Sequence, residues 1–229
     1  GRISYIGQIN YGYDNRYLLN ASLRVDGSMN FAKGNQYGYF PALSAAWVVS
    51  NESFFKSDMV DQLKLRASVG LTGNDNIIGW QWQESYQMGN SAWLGNNPSN
   101  NPGIKFSGIV NPNVTWEKSL AYNVGVDLYF MQKFPLTTDF WYKNTYDILG
   151  GRILSLPTSF GFSMPSENYG EVHSRGIDIE VGYRNNIRDF NYYVKGVFSW
   201  ATNTVKKKDY ATDAADYDIP IGRSLDYLV

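Results

Sequence analysis

Over stretches of about ten residues this chain alternates apolar and polar side chains one by one, and the connections between stretches are by turns short and long. The plainest stretch is 62–71, QLKLRASVGL. On a strand it sets Leu63, Leu65, Ala67, Val69 and Leu71 on one face and Lys64, Arg66, Ser68 and Gly70 on the other. Residues 176–183, GIDIEVGY, repeat the arrangement, with Ile177, Ile179, Val181 and Tyr183 opposite Asp178, Glu180 and Gly182. A helix would mix these sets around its circumference. A sheet with one uniformly apolar face must put that face against lipid or against a second sheet.

The pattern predicts strands near 3–13, 17–26, 39–49, 62–71, 118–131, 136–146, 174–183 and 191–202. Ile3, Tyr5, Ile9, Tyr11 and Tyr13 share one face of the first. Tyr192, Val194, Phe198 and Trp200 stand opposite Tyr193, Lys195 and Ser199 on the last. Strand charges gather on the polar face, as expected where a charge at mid-bilayer costs about 2–4 kcal/mol. The connections Asp14 to Arg16, Gln132 to Pro135 and Arg184 to Phe190 are short. Residues 72–115, 147–173 and 203–229 are read as long loops rich in Gly, Asn, Pro and Ser. Short turns on one side and long loops on the other are the periplasmic and extracellular ends of a bacterial outer-membrane barrel. The connection 50–61 is longer than its short-side neighbours and is expected to hold a helical turn capped by Ser50 or Asn51.

Composition is consistent with this reading. Aromatic residues make up 16%, and there are 22 Gly and 18 Tyr, a balance that leans toward an all-β chain with many turns. A mean hydropathy of −0.37 does not oppose a barrel, whose lumen and loops are polar, and no apolar run reaches the roughly 18 residues of a membrane helix. The net charge of −1 gives no basic surface for nucleic acid. Lys206–Lys208 reads as a solvated charge run, and the absence of cysteine removes disulfide frameworks and thiolate metal sites. The opening GRISYIGQIN has no basic region followed by an apolar core, and it starts within a strand pattern, so a fragment is expected. Aromatics gather where strands meet short turns, at Tyr11, Tyr13, Tyr17, Trp47, Phe54, Phe55, Phe130, Phe134, Tyr183, Phe190 and Tyr192, as a periplasmic girdle would.

RYLLNASLRVDGSMNF (16–31), YGYFPALSAAWVVSNESFF (37–55), LKLRASVGLTGN (63–74), WYKNTYDIL (141–149) and NYGEVHSRGIDIEVGY (168–183) closely resemble successive barrel segments of the SusC/RagA family. These are TonB-linked outer-membrane transporters of Bacteroidota. The resemblance implies an all-β, antiparallel transmembrane barrel in which residues 1–229 supply about eight of 22 strands, without plug, TonB-contacting segment or C-terminal strands. It also implies import of oligosaccharides or peptides, driven through TonB in regions outside this chain, with a SusD-like surface lipoprotein as partner.

Three kinds of chemistry compete for the remaining residues. Catalysis finds little support: His173 is the only histidine, Ser174 beside it points to the opposite face of a strand, and no G-x-S-x-G or H-E-x-x-H occurs. Asp213, Asp216 and Asp218 could offer oxygen to Ca²⁺, but the spacing is not that of an EF-hand and a solvated acidic loop is the favoured reading, so no metal or cofactor is expected. In the longest loop Trp80, Trp82, Tyr86 and Trp93 stand among amides. They suit sugars or peptide backbones, and equally the small core that a loop of this length needs. Arg24, Asp26, Lys64, Arg66, Asp127, Asp139, Lys143, Asp178, Glu180 and Lys195 are expected on the lumen face, paired with one another or with a plug, with Glu180 near Lys195. Two rival architectures remain: a self-contained eight-stranded barrel serving as anchor or adhesin, in which 3–13 would pair with 191–202, and a soluble sandwich.

Overall fold

The computed structural model describes residues 1–94, 99–151, 164–211 and 213–228. Its strands in chain order are β1 (Arg2–Tyr13), β2 (Tyr17–Ser28), β3 (Tyr37–Val48), β4 (Val60–Asn74), β5 (Tyr86–Met88), β6 (Ala92–Leu94), β7 (Ser99–Asn101), β8 (Ile104–Phe106), β9 (Glu117–Phe130), β10 (Phe134–Gly151), β11 (Ser166–Ile187) and β12 (Phe190–Lys207). Eight form one sheet in the order β1-β2-β3-β4-β9-β10-β11-β12, and every neighbouring pair is antiparallel. The other four make two small ribbons, β5-β8 and β6-β7, inside the long connection between β4 and β9.

β1 and β12 lie at opposite edges of the sheet, so the closed eight-stranded barrel is excluded for this arrangement. Among the described residues no second sheet covers the apolar face, which speaks against the sandwich: Tyr5, Ile9, Leu19, Leu43, Val124, Phe140, Val194 and Phe198 are all exposed. Such a face is stable only against lipid. Ile6 and Leu18 break the alternation, as exposed apolar residues on the polar face.

The register also gives the tilt of the strands. Tyr13↔Tyr17 lies in one row with Trp47, Leu65 and Val126, whereas the next aromatic turn, Phe130↔Phe134, lies four residues lower. Across four strand spacings that is a descent of about 13 Å in about 19 Å, a slant of about 35° and the tilt of strands in membrane barrels. The aromatic girdle continues through Phe134, Tyr183, Tyr192 and Phe190, with successive ring centroids 4.9, 5.8 and 6.0 Å apart.

Three expectations are corrected. The connection 147–173 is strand at both of its ends: β10 runs to Gly151 and β11 starts at Ser166, and their ladder carries bulges near Thr145 and Ile148. Their ladder continues beyond the apolar band, where polar residues carry no two-residue signature. β12 likewise extends to Lys207, and the tail returns to it, Val205 N–H donating to Arg223 O and Gly222 N–H to Val205 O at 2.8 Å each. The helical turn after β3 is a short 3₁₀ segment, Val49–Asn51, without a side-chain cap. Asn51 instead donates to Asn15 O at 2.8 Å, tying this turn to the β1–β2 hairpin.

Candidate functional site

Arg66 organises the polar face. Its Nε and Nη2 donate to the two Asp127 oxygens at 2.9 Å each, and Nη2 also reaches Asp139 at 3.1 Å. Register explains the reach, because Gly125 on β9 stands between Arg66 on β4 and Asp139 on β10. A Cβ on Gly125 would come within 2.5 Å of Asp139 Oδ1 and 2.8 Å of Arg66 Nη2, so glycine leaves the channel through which the guanidinium crosses a strand. Lys64 stands 3.7 Å from Asp127, Lys195 is 2.6 Å from Glu180, and Arg24 bonds Asp26 on its own strand at 2.6 Å. Asp178 accepts the Trp141 indole N–H at 2.9 Å. Lys143 has no partner among the described residues; its row neighbours are Ala121 and Ser174. A single register row sets Asn10, Asn20, Ser44, Ser68 and Asn123 side by side, and they line an open hollow of about 540 Å³ with Lys64 and Arg66. Across five strands this face presents a row of uncharged hydrogen-bonding groups, flanked at Lys64 and Arg66 by charges that pair with Asp127 and Asp139.

The long-loop end holds an apolar core, Phe31, Phe40, Val114 and Trp116, with Leu71, Ile77 and Leu149 against it. It forms where β3 and β4 part. Their ladder ends at Ala42↔Gly70, beside Pro41, which has no N–H to donate. The Phe40 ring then folds over Gly38 and against Gly73, both of which leave it room, and meets Trp116 edge-on at 5.3 Å. Polar ties root the long loop around this core. Arg2 makes a two-pronged ion pair with the buried Asp75 (2.7 and 2.8 Å), Trp116 Nε1 donates to Gln36 O, and Asn168 both accepts from Thr115 N–H and donates to Thr115 O.

Beyond these roots the loop presents its aromatics outward. Trp80 and Tyr86 are exposed, so they do not form a buried loop core. Trp80 holds a φ of 66°, strained for a bulky residue, and packs 5.9 Å from Trp82, whose enclosed indole N–H meets no acceptor among the described residues. Tyr86 packs edge-on against Phe106 at 5.8 Å across the β5–β8 ribbon, where Met88 and Ile104 share its exposed face. Trp93 stands in β6, and its side chain lies outside the described part of the structure. Asp213, Asp216 and Asp218 are exposed, and no cluster of three or more His, Asp or Glu suited to a metal is gathered among the described residues.

Two constellations carried no signal in the one-dimensional pattern. At the short-turn end Glu52 accepts from the Tyr17 hydroxyl at 2.6 Å and the Trp47 indole at 2.9 Å, with Arg16 at 3.4 Å. The Tyr17 hydrogen bond, then that of Trp47, holds its carboxyl below the usual range. At the opposite end His173 lies on the apolar side of the wall, beyond the last apolar row. Its Nδ1 is 2.9 Å from the Tyr142 hydroxyl and its Nε2 is 3.0 Å from Glu171, which Lys207 also contacts at 2.7 Å.

An open antiparallel sheet with one lipid-ready face, one charge-balanced polar face, a slanted aromatic girdle and ends of unequal length is the wall of an outer-membrane β-barrel. Residues 2–227 match the family model "TonB dependent receptor-like, beta-barrel", and the chain belongs to that family. It is 32% identical over 208 residues to "TonB-dependent receptor P3" of Formosa agariphila, and 27% identical over 234 residues to "TonB-dependent receptor SusC" of Bacteroides thetaiotaomicron. These matches cover 90% and 93% of this chain but only 20% and 22% of the relatives, so the chain spans about a fifth of their length. Its fold matches the RagAB peptide importer in its "open-open" state, with a TM-score of 0.79 and 24% identity over 90% of this chain and 22% of that one. The wall therefore lies in the outer membrane, with its short turns toward the periplasm.

Proposed function

We propose that these residues are the partial barrel domain of a 22-stranded active transporter that imports oligosaccharides or peptides with a SusD-like surface lipoprotein, energised through TonB. The observation that carries the reading is the polar face: a row of amides and hydroxyls from Asn10 to Asn123 beside a group in which Lys64 and Arg66 balance Asp127 and Asp139. Such a wall offers many weak hydrogen bonds and little fixed charge to a passing polar chain. Similar proteins support it, one being a peptide importer and others TonB-dependent receptors. Trp80, packed on Trp82, is proposed as a first contact for substrate, because a strained exposed ring suits a ligand that stacks. No catalytic step and no cofactor belong to this reading. A plug, the TonB-contacting segment and the closing strands are assigned to sequence outside these residues.

The test is uptake of labelled oligosaccharides and peptides by cells carrying the full-length protein, with and without TonB and the neighbouring lipoprotein gene. Loss of uptake of one substrate class in both deletions is expected. Uptake unaffected by the TonB deletion refutes the reading.

A further inference from the structure

The row of amides and hydroxyls on the luminal face does not stop at Asn123. Its next members are Trp141 on β10, Gly176 on β11 and Ala201 on β12. Trp141 is the one aromatic residue of the row, and its ring is locked. The indole N–H donates to Asp178 at 2.9 Å, and the same edge of the ring lies over Gly176, where a Cβ would come within 2.6 and 2.7 Å of indole Cζ2 and Cε2. Glycine thus leaves the seat on which the indole rests. The ring is half-buried, so the rest of its surface is presented to the lumen.

The polar groups around this ring are free. Asn123 stands opposite Trp141, with Cβ atoms about 5 Å apart, and Lys143 follows two residues along β10, about 7 Å away on the same face. Neither side chain has a hydrogen-bond or ionic partner among the described residues, and the second carboxylate oxygen of Asp178 has none either. Together they supply an amide that donates and accepts, an ammonium that donates and a carboxylate that accepts, around an apolar ring whose single N–H is taken. The two charges are of opposite sign, so the cluster selects no net charge. A pyranose meets these demands: the C–H groups of its face lie on an aromatic ring, and each hydroxyl around its rim both donates and accepts. A gluco-configured unit fits best, because its equatorial hydroxyls leave the face bare. An extended peptide backbone has no comparable apolar face and carries its donors and acceptors along two edges only.

We propose that Trp141 is a stacking subsite for a neutral, gluco-configured sugar unit inside the barrel, with Asn123, Lys143 and Asp178 hydrogen-bonding its hydroxyls. The proposal rests on the transport reading above and narrows it: of the two cargo classes, this wall is built for oligosaccharide. The subsite stands on strands interior to the sheet, apart from Trp80 in the outer loop, so a sugar chain that meets Trp80 first finds a second aromatic stop in the wall.

The test uses the full-length protein in lipid nanodiscs, labelled with 5-fluorotryptophan, the Trp141 fluorine resonance being the one absent from Trp141→Phe. Cellohexaose and maltohexaose are titrated, with a hexapeptide of alternating Gly and Ser for comparison, and affinities are measured by calorimetry. At least one hexaose is expected to move the Trp141 resonance to saturation, and the peptide is expected to leave it in place. Trp141→Leu, which keeps an apolar cover over Gly176, should weaken binding of that hexaose about tenfold. Asn123→Ala, which removes no hydrogen bond to the described chain, should weaken it about fivefold. A Trp141 resonance that moves with neither hexaose, or equally with the peptide, overturns the proposal, as does a hexaose affinity unchanged in either variant. None of these measurements depends on TonB. Uptake that requires TonB beside a silent Trp141 therefore refutes the subsite alone, whereas uptake unaffected by TonB refutes the transport reading.

Discussion

The contact between Phe40 and Gly73 allows a quantitative test of how the outer mouth is built. A methyl at Gly73 would overlap the Phe40 ring: even the third-nearest ring carbon would lie 2.8 Å away, well inside contact distance. The ring cannot retreat freely, because Gly38 lies beneath it and Trp116 stands 5.3 Å away. Gly73→Ala should therefore cost about 1–3 kcal/mol through overpacking. Phe40→Ala removes a ring that is 6% exposed and should cost about 3–5 kcal/mol. In the double variant the new methyl enters vacated space, so the pair should cost no more than Phe40→Ala alone. That is a coupling of about 1–3 kcal/mol. The core is local, and hydrogen exchange of residues 36–42 and 112–118 in the full-length protein in a bilayer is the suitable assay, with about 1.4 kcal/mol appearing as a tenfold change in protection. Costs that add within about 0.5 kcal/mol would mean that the ring does not rest on Gly73, and the reasoning would fail.

Arg66→Ala leaves Asp127 and Asp139 facing each other across Gly125. With these side chains a fifth to a third exposed, the cost should fall between the exposed and buried limits, about 1–3 kcal/mol, and Asp139→Asn should recover part of it in denaturant titrations. Glu52 has a folded pKa below its ordinary 4.5. Its contribution is thus complete above that ordinary value and is lost as pH falls through the depressed one, so resistance of the folded barrel to denaturant should drop in that acid window and Glu52→Gln should flatten the drop. Met131 and Gln132 form the β9–β10 turn with φ of 49° and 55°. Replacing them with Asn-Gly should raise the unfolding midpoint by relieving about 1 kcal/mol, since the Gln132 N–H bond to Asp61 is made by backbone and survives; an unchanged midpoint would show no strain there.

The eight long strands and their two faces were legible because a two-residue period is local: Leu63 to Leu71 declare a face without reference to any other strand. The same period placed Glu180 and Lys195 on one side, and the short turn between them set their height. What was not legible depends on partners far along the chain. Glu52 meets Tyr17 across 35 positions and Arg2 meets Asp75 across 73, pairings that exist only once the register is set. The extensions of β10 and β11 were missed because, above the membrane, both faces meet water and nothing requires alternation. The Trp80 and Trp82 loop is illegible for the opposite reason: aromatic residues there fit a buried core as well as an exposed platform, and only the fold shows Trp80 turned outward.

The slant of the girdle gives neighbouring residues unequal depths. Tyr17, Trp47, Leu65, Val126, Thr138 and Ile179 occupy one register row, yet Tyr17 sits at the membrane surface while Ile179 lies well inside. Tyr17, Phe134 and Tyr192 share no row and lie at nearly the same level. Tolerance to a charge should therefore follow a staircase around the wall: the same lysine would be nearly free at Tyr17 and cost about 2–4 kcal/mol as the row passes the midplane. In this wall hydrogen-bonded neighbours can experience different solvents, and residues that never touch can experience the same one.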